Sequence, residues 1–275
     1  MLASMSDERP IAVFDSGAGG LTVASEIMRR LPGEEILYFG DTARVPYGSR
    51  SLEVITRYAT EGVSFLLEAD PKALVVACNT VSAVALPAVV AKSPVPVVDV
   101  VSPGARAAVG FSRAKRVGVI ATEATVRSGR YGECIRALDP DACVFEAAAP
   151  LLVPIVEEGW PLDSPVVSGA VGAYLEDLLR HNVDVIVLGC THYPLLKPAF
   201  REAAGDDLFI VDSAEETAGA LADLLRSDGK VRVARGVPHH RFLVSDDPAR
   251  FRKLGSRFLM HHRMDVLLAS PSPLS

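Results

Sequence analysis

Short apolar, β-branched runs recur along the chain, each closed by a small or polar cluster. In the first half they are IAVFDSG (Ile11 to Gly17), ILYFGDT (Ile36 to Thr42), ALVVACNT (Ala73 to Thr80) and VPVVDVV (Val95 to Val101). The second half gives RVGVIAT (Arg116 to Thr122), CVFEAAA (Cys143 to Ala149), VDVIVLGCT (Val183 to Thr191) and LFIVDSA (Leu208 to Ala214). Near-continuous apolar strands of this kind are the mark of parallel strands buried on both faces. Amphipathic stretches with helical spacing separate them, among them Leu52 to Glu68, Gly169 to Arg180 and Glu215 to Arg226. Alternating strands and helices predict an α/β fold with mainly parallel sheets.

The two halves also resemble each other. The run at Ile11 matches the run at Val117, Cys78 matches Cys190, and Asp99 matches Asp212, in the same order and at a nearly constant separation. Each match alone is weak, because apolar strands look alike. Together they predict two similar, pseudo-symmetric lobes facing a shared cleft at the carboxyl ends of their strands, where open α/β sheets bind ligands. A further strand at Phe242 to Ser245 and a helix opened by Asp246, Asp247 and Pro248 follow the second lobe. The chain is therefore expected to return to the first lobe. The first lobe is read as 1–99 plus 213–275, carrying Cys78, and the second as 100–212, carrying Cys190.

Composition narrows the classes. The 275 residues are 49% hydrophobic and 23% charged, enough apolar material for a real core. A formal charge of −6 argues against nucleic acid as a bulk partner, since a phosphate-backbone binder needs the opposite sign. The leader MLASMSDERP carries both signs of charge and lacks the apolar core of a signal peptide, and Met5 could be an alternative start. No apolar run is long enough to cross a membrane. Both the leader and the tail ASPSPLS are expected to be disordered. A cytoplasmic location with reduced thiols is the default, because four cysteines are too few for a disulfide scaffold.

Those four cysteines divide into two kinds. Cys78 and Cys190 each end an apolar strand and precede small polar residues, Asn79-Thr80 and Thr191-His192, before a helical pattern. A thiol near a helix N-terminus is expected to have a lowered pKa, although a single strand-end cysteine is as readily a small buried hydrophobe. Two at matched positions favour chemistry. Cys134 and Cys143 adjoin no polar cluster and read as core filler. No cysteine pair has zinc-ligand spacing, and no metal is expected. Gly17, Gly19 and Gly20 follow the first strand, but Thr22 stands where a dinucleotide fingerprint needs glycine. Asp15 and Ser16 lie at the mouth of that strand, either as a proton acceptor and a ligand hydrogen bond or as a helix cap. His192, two residues after Cys190, could stabilise a thiolate or assist proton transfer.

Two opposed thiols suit a symmetric task. A nucleophilic hydrolase needs only one, and a dithiol redox centre normally uses C-x-x-C, which the sequence lacks. Inversion at a carbon acid needs one group to remove the α-proton from one face and another to return a proton on the opposite face. The polar clusters at the strand mouths supply hydrogen-bond donors for the carbanion-like transition state.

VVACNTVSAV around Cys78 and VLGCTHYPLL around Cys190 resemble the paired signatures of the aspartate/glutamate racemase family. FDSGAGGLTV, YFGDTARVPYGSRS, IATEATVRSGRY and LVPIVEEG resemble its glutamate-specific members, and His192 agrees, since aspartate racemases tend to carry an acidic residue there. The resemblance runs from about Ile11 to about Leu259. It implies cofactor-independent interconversion of L- and D-glutamate, supplying D-glutamate for peptidoglycan synthesis, by a homodimeric enzyme. It assigns proton abstraction from D-glutamate to Cys78, assisted by Asp15, and from L-glutamate to Cys190, assisted by His192, with Glu157 near that histidine. Implied substrate contacts are Asp15, Ser16, Tyr47, Gly48, Asn79, Thr80, Thr191 and His192, with Thr122 and Thr125 behind them. Arg44 and Arg127 read as structural or surface residues. The rivals are a racemase for aspartate or another acidic amino acid, a decarboxylase of the same superfamily, and a non-catalytic two-lobed binding protein.

Overall fold

The computed structural model describes residues 7–205, 208–233, 236–259 and 264–271. The first lobe opens with β1 (Ile11–Asp15), α1 (Leu21–Arg30), β2 (Ile36–Gly40), α2 (Leu52–Leu67), β3 (Ala73–Val76), α3 (Asn79–Val84), α4 (Leu86–Lys92) and β4 (Val97–Asp99). The second runs through α5 (Val101–Phe111), β5 (Arg116–Ala121), α6 (Glu123–Ser128), α7 (Arg130–Leu138), β6 (Cys143–Ala148), α8 (Leu152–Glu158), α9 (Pro165–Arg180), β7 (Val185–Gly189), α10 (Lys197–Ala204) and β8 (Phe209–Asp212). Then follow α11 (Ser213–Ser227), β9 (Arg241–Val244), α12 (Pro248–Phe258) and β10 (Val266–Leu268).

The strands form two sheets, ordered β10-β9-β2-β1-β3-β4 and β6-β5-β7-β8, and every pairing is parallel. The order β2-β1-β3-β4 of the first half recurs in the second as β6-β5-β7-β8. β1, β2, β3 and β7 are buried along their whole length, as their unbroken apolar runs require. β6 lies at a sheet edge and is only partly covered. Its first residue, Cys143, is exposed rather than the core filler expected from sequence, whereas Cys134 is half-buried and packs against the core.

The chain does return to the first sheet. β9 pairs with β2, Leu37 opposite Arg241, and β10 then pairs with β9. β10 was not legible as a strand, because it is three residues long and two of them are exposed. The ends are more ordered than expected where they are described. The Ala269 N–H donates to the Val244 carbonyl, and Arg9 pairs with Asp7. The leader before Asp7 and the tail beyond Pro271 lie outside the described residues.

At the pole opposite the strand mouths, the Lys72 ammonium is fully buried. It lies 2.6 Å from the equally buried Glu34 carboxylate and donates to the carbonyls of Asp7 and Lys230. It thereby ties the lead-in, the α1–β2 turn, the start of β3 and the end of α11 to one point. Truncating one partner of a buried pair leaves the other charge unpaired. Lys72→Met is expected to lower stability by roughly 3–5 kcal/mol in denaturant titrations while leaving the distant cleft intact. A loss below 1 kcal/mol would show that Glu34 finds another partner.

Candidate active site

The carboxyl ends of β1, β3, β5 and β7 converge on a cavity of 430 Å³. Its walls include Ser16, Tyr47, Gly48, Cys78, Asn79, Thr80, Thr122, Glu157, Cys190, Thr191 and His192, bringing eleven of the thirteen sequence-derived candidates to one space. The other two stand behind the walls. Asp15 is buried under the β1 loop, where one oxygen accepts the Gly17 N–H at 2.8 Å. Thr125 is fully buried behind Thr122, whose hydroxyl it meets at 2.9 Å, and Thr80, to which it donates at 3.5 Å.

The two thiols have different surroundings. Cys78 holds the N-cap position of α3, and its Sγ lies 3.3 Å from the Ser16 hydroxyl. Burial first, and then the Asp15 carboxylate, push the Cys78 thiol up to about 12, against the opposing pull of Ser16 and the Val81 N–H. This corrects the expectation of a lowered pKa: desolvation outweighs the short helix behind the thiol. Cys190 is followed by a 3₁₀ turn, Tyr193–Leu196, and the α-helix starts only at Lys197. What stands beside this thiol instead is His192, with Nδ1 3.9 Å from Sγ and Nε2 3.2 Å from Glu157 Oε1. Burial opposes a charged imidazole, yet the contacts with Cys190 and Glu157 prevail and push His192 up to about 10. The same hydrogen bond, against burial, holds the Glu157 carboxyl below its usual range. Asp15 is shifted the other way, upward, by burial.

Polar groups link the lobes across the cleft. Thr80 on α3 and Thr122 at the N-cap of α6 share a hydroxyl contact at 2.9 Å, and the Ala124 N–H donates to the Gly48 carbonyl. Asn79 donates through Nδ2 to the Tyr131 hydroxyl at 2.8 Å. Its carbonyl oxygen stays buried without a hydrogen-bond partner among the described residues. The Tyr47 hydroxyl, at the cavity wall, donates to the buried Asp41. Asp41 also accepts from Ser245 at 2.9 Å, which ties the 45–48 loop, with its cis Val45–Pro46 bond, to the returning chain. Arg44 pairs with Asp41 and Glu61, and Arg127 donates to the Arg50 carbonyl, so both are structural.

Gly17 also lines the cavity, and Val45, Pro46, Ser49, Glu123, Pro150, Val153, Pro154, Glu158 and Arg250 complete the walls without having been singled out from sequence. Most are apolar and carry no chemical signature. Arg250 reaches the cleft only because α12 folds back, a matter of topology. Among the described residues no three His, Cys, Asp or Glu side chains are grouped as metal ligands.

Two α/β lobes with paired thiols in the cleft between them define a class of small-molecule enzyme that can work on both faces of one ligand. The profile of the Asp/Glu/Hydantoin racemase family matches residues 21–221, and the chain belongs to that family. The glutamate racemase of Syntrophus aciditrophicus is 51% identical over 91% of this chain and 92% of its own length. The glutamate racemase RacE1 of Bacillus anthracis superposes with a TM-score of 0.93 at 39% identity, covering 98% of this chain and all of the other. The Francisella tularensis glutamate racemase, solved with D-glutamate, gives 0.90 at 35% identity over 98% and 100%. An aspartate racemase homologue from Pyrococcus horikoshii shares the fold at 16% identity with a TM-score of 0.54.

Proposed function

We propose that the protein is an amino-acid racemase that interconverts L- and D-glutamate with its own side chains and no cofactor, supplying D-glutamate for peptidoglycan synthesis. The observation that carries this reading is the pair of thiols in one cavity, one beside Ser16 and the other beside the His192–Glu157 couple. The similarity to glutamate racemases over nearly the whole chain supports the substrate, whereas the aspartate racemase homologue of Pyrococcus horikoshii is only 16% identical.

L-Glutamate enters with its Cα between the thiols. The Cys190 thiolate, stabilised by the His192 imidazolium, takes the α-proton and becomes a thiol. The Cys78 thiol gives its proton to the opposite face and becomes a thiolate. The product is D-glutamate, and the reverse reaction starts from this exchanged protonation state. The raised Cys78 pKa fits its role as the acid in the L-to-D direction. The unpartnered Asn79 oxygen accepts from the substrate ammonium, while the Ser16, Thr80, Thr122 and Thr191 hydroxyls donate to its carboxylates. Binding of an anion by an acidic protein then rests on local donors. Asp15, below the floor, acts on Cys78 through its charge rather than by touching substrate.

The test is direct. In D₂O without pyridoxal phosphate, either glutamate enantiomer is expected to yield the other with deuterium at Cα, and aspartate to react far more slowly. No deuterium incorporation from either enantiomer would remove the racemase reading, and a faster reaction with aspartate would change the substrate.

A further inference from the structure

α12 starts behind the carboxyl end of β9, in the first sheet, yet its side chains reach into the second lobe. Arg257 Nη1 donates to the carbonyls of Val156 at 3.2 Å and Glu157 at 3.0 Å, in the last turn of α8. A guanidinium there meets the negative end of the helix and makes charge-assisted hydrogen bonds. The site is shaped for it. Gly159 caps α8 with φ of +76°, and a Cβ at that position would lie 2.3 Å from the guanidinium. One residue on, Phe258 meets the His192 ring edge-on, with centroids 5.8 Å apart. Seven residues before Arg257, on the same side of the helix, Arg250 Nη2 lies 3.6 Å from Glu157 Oε2.

All three side chains touch Glu157 or His192, and Arg257 touches Val156 as well. Cys78, in contrast, takes its contact from Ser16 within its own lobe. We propose that α12 is a strap between the lobes and that Arg257 is its positioning residue, fixing the end of α8 so that Glu157 holds His192 against Cys190. The inference rests on the racemase reading. It assigns α12 to one of the two proton transfers, the one at Cys190.

A fixed acid–base couple matters because displacing a reacting group by about 1 Å can cost ~10²-fold in rate. Enantiomers have equal free energy in water, so kcat/KM must fall by the same factor in both directions. The asymmetry appears instead in isotope effects. Cys190 breaks the Cα bond of L-glutamate, and Cys78 breaks that of D-glutamate. Slowing only the Cys190 step makes bond cleavage more rate-limiting from the L side and less so from the D side.

The experiment measures kcat/KM and its Cα-deuterium isotope effect for both enantiomers in the wild type, Arg257→Ala, Arg257→Lys and the outer-face control Lys253→Ala. Wild-type racemisation is the baseline, and its absence would count against the function rather than the strap. Arg257→Ala is expected to lose on the order of 10- to 100-fold in kcat/KM. Its isotope effect is expected to rise with L-[2-²H]glutamate and fall toward unity with D-[2-²H]glutamate. Arg257→Lys, which keeps the charge but not the fork of donors, should shift both in the same sense by less. It carries the test if the alanine variant fails to fold. Lys253→Ala should leave both effects unchanged. Isotope effects that stay constant, move together or move in the opposite sense in the Arg257 variants would overturn the proposal.

Discussion

Cys78→Ala and Cys190→Ala are each expected to lose overall racemisation by on the order of 10²–10⁴-fold while remaining folded, the range associated with a positioned proton-transfer group. Both side chains are small and buried, so alanine removes one sulfur from a wall of the cavity and little from the core. The loss arises because inversion needs a proton to leave on one face and another to arrive on the opposite face. Neither thiol can do both. The half-reactions separate the two. In Cys78→Ala, Cys190 and its His192 remain, so the α-hydrogen of L-glutamate should still exchange with solvent without inversion. In Cys190→Ala, only D-glutamate should exchange. Chiral chromatography with mass spectrometry reads both quantities. Near-wild-type inversion in either variant would rule out the two-thiol assignment.

The second large effect comes from a glycine. The β1–α1 loop passes so close to the second lobe that a Cβ on Gly19 would lie 2.3 Å from the Thr191 hydroxyl and 2.5 Å from the His192 ring, at Cε1 and Nδ1. Ordinary carbon contacts need ~3.5–4.0 Å, so the ring must move by roughly 1 Å. Nδ1 is also the atom that faces Cys190. Gly19→Ala is therefore expected to reduce kcat/KM by on the order of 10²-fold, mainly through kcat, with a modest drop in thermal stability. Gly172→Ala, on α9 with open space around it, serves as the control and should retain full activity. Full activity in Gly19→Ala would mean that the loop, rather than the histidine, gives way.

The sequence was most informative where one physical rule dominates. Eight apolar runs became eight parallel strands, most clearly β1, β2, β3 and β7, because a strand buried on both faces can hardly be written otherwise. The matched cysteines were legible because each sits at a strand end with small polar neighbours, and topology then brings both to one cavity. Arg250 and Arg257 were invisible for the opposite reason. They sit in an ordinary basic amphipathic helix, and only the returning path of the chain turns that face toward Glu157. The acidity of Cys78 was read in the wrong direction. A helix start in the sequence suggests a stabilised thiolate, but the sequence does not show that burial and Asp15 act against it. Cys143 was misread because an edge strand and an interior strand share the same apolar pattern at their first residue.

The pairing of β9 with β2 has a consequence for synthesis on the ribosome. Leu37 leaves the exit tunnel long before its partner Arg241, 204 residues later in the chain. At ~5–20 residues per second, β2 waits roughly 10–40 s as an open sheet edge. The strands of the second sheet all emerge within that interval and can pair among themselves. An unpaired apolar edge is a template for association with other chains. The nascent protein is therefore most exposed to aggregation, and most in need of a chaperone, while its first sheet still lacks β9 and β10.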